Sequence, residues 1–166
     1  SGIVGKQADF QGSTDYLTVA DSDDFSFTDG VTDVPFTIST WVKFDTIIVA
    51  TGVWIINKRD AFGGDEWQLT YYLGVFYFVI FSQGGTGGGS LRIGYTLTPA
   101  LNTWYYISAT YDGSGLHTGL KLYIDSVSAG TTSETGTYVA MSNGTAPVII
   151  GTRGWERYAG ELDGKL

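Results

Sequence analysis

The segment Pro35-Phe36-Thr37-Ile38-Ser39-Thr40-Trp41-Val42-Lys43-Phe44 alternates with a period of two. Phe36, Ile38, Val42 and Phe44 fall on one face with Thr40 among them, and Thr37, Ser39, Trp41 and Lys43 fall on the other. Side chains of an extended backbone point alternately to either side, so the segment is a strand with one buried face. A face this rich in aromatic and β-branched residues needs a second layer to cover it, and the segment therefore demands a two-layer sandwich.

The rest of the chain supplies the material. With 166 residues, 43% apolar and 15% aromatic, it is expected to form one domain over residues 1–166 with a substantial core, as a piece of a longer protein. No apolar run reaches the length of a membrane span, which argues against membrane insertion. Twenty-four glycines against three prolines suit many tight turns. A net charge of −8 without a basic stripe disfavours nucleic acid as a partner. The absence of cysteine excludes disulfides and thiolate metal sites and leaves the compartment open.

Short β patterns succeed one another along the chain: 7–10, 15–20, 54–58, 67–72, 75–81, 92–96, 104–111 and 120–125. Val75 to Phe81 is apolar on both faces, which suits a central strand. Asn143-Gly144 lies between Tyr138–Met141 and Pro147–Gly151 and predicts a tight hairpin joining the two. About a dozen short strands with almost no helical periodicity predict an all-β antiparallel sandwich.

Four segments carry a family resemblance: Asp15-Tyr16-Leu17-Thr18-Val19, Phe36 to Lys43, Trp104 to Gly113 running into Leu120 to Asp125, and Val148-Ile149-Ile150-Gly151 followed by Tyr158 to Asp163. In this order they resemble the laminin G-like, concanavalin A-like jelly rolls, to which the pentraxins are related. The flavour is that of bacterial surface proteins, secreted multidomain enzymes and phage virion proteins. The resemblance implies a two-sheet jelly roll whose first and last strands pair. It also implies a non-catalytic recognition or adhesion module at a cell surface, outside the cell or on a virion. Partners would be a glycan, a surface protein or other virion subunits.

The same resemblance implies calcium. Pentraxin-like sites draw ligands from the loop before the strand matching Trp67 to Tyr72, where Asp60, Asp65 and Glu66 stand. Calcium prefers several oxygen ligands, so clustered carboxylates are the right chemistry, with a solvated acidic loop as the alternative. The second pentraxin ligand region departs from the pattern, since Thr152 to Arg157 carries two cations. Asp21, Asp23 and Asp24 with Asp163 form a second cluster, read more simply as aspartates bonding turn amides. Glu161-Leu162-Asp163 matches the start of the glucanase Glu-x-Asp strand, yet Lys165 and Leu166 stand where the second catalytic glutamate belongs. Hydrolysis needs both carboxylates, so the chain is not expected to be a glycan-active enzyme. His117, the only histidine, sits in a glycine-rich loop with no companion signature.

Aromatic residues outside the core pattern are the remaining candidates. Alternation turns Trp41, Trp104, Tyr106, Tyr72 and Tyr123 away from their strands' apolar rows, and Trp155 lies in an Arg-flanked loop. Flat rings suit the C–H faces of sugars. These six are the predicted ligand-binding residues, with Trp41, Trp104 and Tyr106 sharing one sheet face. Coverage of the rings by protein is the competing reading.

Overall fold

The computed structural model describes residues 7–12, 14–47, 51–59, 64–82, 88–128, 130–153 and 160–166. Within them the strands are β1 (Asp9–Gln11), β2 (Leu17–Val19), β3 (Phe36–Phe44), β4 (Val53–Lys58), β5 (Trp67–Tyr72), β6 (Val75–Phe81) and β7 (Ser90–Thr96). They continue with β8 (Trp104–Tyr111), β9 (Leu120–Ile124), β10 (Val127–Ser128), β11 (Thr131–Thr135), β12 (Val148–Ile150) and β13 (Asp163–Lys165). All pair antiparallel in two sheets, one of six strands in the order β1-β13-β3-β8-β9-β10 and one of seven in the order β11-β7-β6-β5-β4-β12-β2.

Alternation decides which side chains enter the space between the sheets. From the six-stranded sheet come Phe36, Val42 and Phe44 of β3, Ile107, Ala109 and Tyr111 of β8, and Leu120, Leu122 and Ile124 of β9, all buried. From the seven-stranded sheet come Trp67, Leu69 and Tyr71 of β5, Phe76, Phe78 and Ile80 of β6, and Leu91 and Ile93 of β7. Rings meet across the gap: Phe36 lies 5.8 Å from Phe78, and Phe44 lies 6.0 Å from Tyr71, centroid to centroid. As anticipated, β6 is a central strand, and its outward residues Val79 and Phe81 are also buried.

The first and last strands are neighbours. Asp9, Phe10 and Gln11 face Lys165, Gly164 and Asp163, and Ala8 and Leu166 exchange two backbone hydrogen bonds of 3.0 and 3.1 Å.

One sequence expectation is corrected and one strand was missed. Tyr138–Met141 and β12 do not form a hairpin: β12 runs between β2 and β4, while Met141 bridges Ser82. Instead of closing a two-residue turn, Gly144 donates its amide to Glu66 Oε1 at 2.9 Å. The polar edge strand Thr131–Thr135 was not anticipated, because its residues are exposed or half-buried and leave no apolar alternation to read.

A bulge in β4 decides which of its side chains reach each face. Trp54 lies opposite Thr70, Ile56 opposite Leu69 and Lys58 opposite Trp67, so Ile55 is the extra residue. In a strand without the bulge, Trp54 and Lys58, four residues apart, would share a face. With it Trp54 points out of the sandwich and Lys58 points in.

Candidate functional site

On β5 the core takes Trp67, Leu69 and Tyr71, which leaves Gln68, Thr70 and Tyr72 on the outer face of the seven-stranded sheet. The register places Tyr77 and Val79 of β6 and Arg92 of β7 beside them, with Trp54 at the other side. Together with Phe81, Arg59 and Arg153 these residues line a groove of about 720 Å³.

Three rings of the groove lie against glycines. A Cβ added to Gly160 would fall 2.3 Å from Trp54 Cδ1, one on Gly94 would fall 2.8 Å from Tyr77 Cε1, and one on Gly52 would fall 3.0 Å from Tyr72 Cδ2. Missing side chains at these three positions let the rings settle onto the backbone. Guanidinium groups then stack on the rings. Arg59 lies 5.1 Å from the Trp54 centroid and 4.8 Å from Phe81, Arg153 lies 5.0 Å from Trp54, and Arg92 lies 6.0 Å from Tyr77.

The charges are anchored from behind. Arg59 Nη2 donates to Asp65 Oδ2 at 2.6 Å, Arg59 Nη1 donates to Gln68 Oε1, and Arg92 Nε donates to Ser133 Oγ at 2.8 Å. Next to Arg59 on the chain, but facing the core, Lys58 is fully buried. Its ammonium pairs with Glu66, also fully buried, and with Asp21 at 2.8 Å. Burial pushes the Glu66 carboxyl above the ordinary carboxylate range, against the opposing pull of Lys58 and the Gly144 amide.

The predicted site residues divide among several places. Trp41, Trp104, Tyr106 and Tyr123 share the outer face of the six-stranded sheet, because Trp41 lies opposite Tyr106, Lys43 opposite Trp104 and Ser108 opposite Tyr123. Trp41 is 45% exposed, and its ring centroid lies 5.3 Å from that of Tyr106. Beside them Lys43 reaches Asp45 at 3.0 Å and holds that carboxyl below its usual range. Tyr72 is on the opposite sheet and belongs to the groove. Asp60 and Trp155 lie outside the described residues.

Asp65 and Glu66 are brought together, but each is engaged by a cation, Arg59 and Lys58 respectively. Among the described residues no group of three or more His, Asp or Glu is placed to hold a metal ion. Of the second acidic cluster, Asp21 pairs with Lys58, the Ser22 hydroxyl donates to Asp24, and Asp163 accepts a 2.7 Å hydrogen bond from the Thr46 hydroxyl. His117 Nδ1 lies 3.0 Å from the Thr132 hydroxyl.

Sequence reading missed Trp54, Tyr77, Phe81 and the three arginines. The alternation of Tyr77 and Phe81 was legible but read as burial, and the bulge at Ile55 conceals the side to which Trp54 turns.

Two antiparallel sheets packed face to face and closed by adjacent terminal strands define a concanavalin A-like jelly-roll sandwich. The chain belongs to the concanavalin A-like lectin/glucanases superfamily, whose laminin G-like family matches it over residues 11–165. Similar solved structures include the binding domain of Paraclostridial Mosquitocidal Protein 1, with a TM-score of 0.61 at 14% identity, covering 96% of this chain and 39% of that one. Domains LG4-5 of the mouse laminin alpha1 chain are similar at a TM-score of 0.58 and 13% identity, covering 98% and 40%. A botulinum neurotoxin type C structure, described as depending on two ganglioside molecules for cell entry, gives 0.60 and 14%, covering 89% and 32%. The chain thus spans about a third to two-fifths of the length of these solved chains. No curated protein matches it.

Proposed function

We propose that this domain is a non-catalytic recognition module that binds a glycan in the groove over the seven-stranded sheet, as part of a larger extracellular or surface protein. The groove itself carries the reading. It combines rings that can stack on sugar faces with Gln68, Thr70 and arginine groups able to bond hydroxyls, the usual make-up of a saccharide site. No Asp or Glu stands among its described lining residues, so a two-carboxylate hydrolysis has neither acid nor nucleophile there. Binding domains and laminin LG domains among the similar structures support the same class.

A glycan array on the wild type, Trp54→Ala and Trp104→Ala, each with a melting curve, tests this reading. Each stacked ring is worth about 1 kcal/mol, so Trp54→Ala should weaken a glycan hit roughly fivefold or more while the fold persists. Loss through Trp104→Ala alone would move the site to the six-stranded sheet.

That second face has its own claim, because Trp41, 45% exposed, pairs there with the half-buried ring of Tyr106. It suits a protein partner, such as a neighbouring domain or another virion subunit, and its substitution should then disturb assembly and leave glycan binding intact.

Calcium with Asp60, Asp65 and Glu66 as ligands is a separate proposal. An ion there would have to displace Arg59 from Asp65 and Lys58 from Glu66. Calorimetric titration of chelator-treated protein should therefore show at most weak binding. Tight binding abolished by Asp65→Asn would establish the site.

A further inference from the structure

We infer that the ligand of this groove is an acidic oligosaccharide, one bearing carboxylate or sulfate groups. The inference rests on the groove being the glycan site and names the class of sugar it takes.

Charge placement points that way. The chain carries a net charge of −8 and only four arginines, Arg59, Arg92, Arg153 and Arg157. Three of the four line this one groove, and no carboxylate stands among its described lining residues. A chain with an excess of acid has thus gathered its guanidinium groups in one concave place, where a field of one sign is strengthened by low-dielectric walls. Neutral sugars would need rings and hydroxyl partners but gain nothing from such a concentration.

The cations are placed differently. Arg59 is buried, and Asp65 balances its charge from behind. Arg92 is exposed and has no carboxylate partner among the described residues. Its Nε donates to Ser133 and its Cζ lies over Tyr77, two contacts that hold the guanidinium in place and leave its terminal amino groups as a fork of the kind that grips a planar anion with two hydrogen bonds. Arg153 and Trp54 stand on the other side of the groove. Between Arg92 on β7 and Trp54 on β4 lie three strand spacings, roughly 14 Å, the scale of a short oligosaccharide. Tyr77, Thr70 and Gln68 lie along that span.

The test uses paired probes: an oligouronate and its carboxyl-reduced neutral counterpart, with a sulfated oligosaccharide as a third. Isothermal titration of the wild type should give about a tenfold preference for the oligouronate or the sulfated probe over the neutral one, the scale of one charge-assisted contact, and the preference should shrink as salt is raised. Arg92→Gln should bring the ratio close to one, and Arg92→Lys should restore part of it, because the charge returns without the fork. Which acidic probe wins tells a carboxylate-reading from a sulfate-reading site. Equal binding of acidic and neutral probes, or a preference that survives Arg92→Gln, overturns the inference while leaving the glycan reading intact. Failure of every glycan to bind overturns both.

Discussion

Replacing Asp33 with alanine is expected to cost about 4 kcal/mol and to lower the melting temperature by roughly ten degrees, among the largest losses any single polar substitution should cause here. Asp33 is buried, and its carboxylate is held by three donors from two other parts of the chain. The hydroxyls of Tyr111 and Tyr138 donate to Oδ2 at 2.8 and 2.6 Å, and the Met141 amide donates to Oδ1 at 2.8 Å. Burial, reinforced by the carboxylate, pushes both tyrosine hydroxyls well above their ordinary range, so they remain donors at any working pH. The residue thereby ties the 28–33 turn to the end of β8 and to the segment that bridges Ser82. Alanine leaves two buried hydroxyls and an amide without an acceptor, each costing about 1–3 kcal/mol, less what water entering the space restores. Tyr138→Phe removes one of the bonds and should cost only about 1–2 kcal/mol. Chemical denaturation of the two variants decides the matter. An Asp33→Ala protein as stable as Tyr138→Phe would mean that the carboxylate is not the hub.

The second large effect concerns Lys58. Substitution by methionine keeps the side-chain volume but strands the fully buried Glu66 carboxylate, and should cost about 3–5 kcal/mol at neutral pH. Replacing both members, as Lys58→Met with Glu66→Leu, removes the stranded charge and should recover most of that loss, since a buried pair rarely outperforms packed apolar groups by much. The pH dependence has a definite sign. Glu66 is raised in the folded state, so the folded protein holds its proton more tightly than the unfolded chain does. Its penalty therefore grows as pH rises above the unfolded value of about 4.3 and fades as pH falls towards it. The defect of Lys58→Met should accordingly be smaller at pH 5 than at pH 8. A defect independent of pH, or a double variant no better than the single one, would contradict a stranded charge.

Residues 36–44 show how much of the fold was legible. Their alternation set β3, its core face and the need for an opposing layer, and β8 and β9 came from the same period. Tertiary pairing was not legible in that way. Asn143-Gly144 has the chemistry of a tight turn, but Val148–Ile150 finds better partners in β2 and β4, and the Gly144 amide goes to Glu66. Carboxylates at 65 and 66 look free when read along the chain. Pairing of β4 with β5 sets Lys58 and Arg59 against them, six to eight residues upstream and visible only once the hairpin is closed. The groove was hidden for a related reason. One extra residue at position 55 reverses which face Trp54 presents, and no periodicity survives a bulge.

The pairing of Ala8 with Leu166 at the outermost rung of β1 and β13 has a mechanical consequence. Because the two strands are antiparallel, the chain enters and leaves at the same end of the ladder. A pull applied through those two residues therefore loads the hydrogen bonds one rung at a time, as a zipper opens, instead of shearing all rungs together. The domain should yield at low force when stretched end to end, whereas the same strands pulled from Gln11 and Leu166 would resist as a block. A tether to a larger protein through both ends is thus a soft joint, and a bound partner would be held most firmly when tension bypasses that edge.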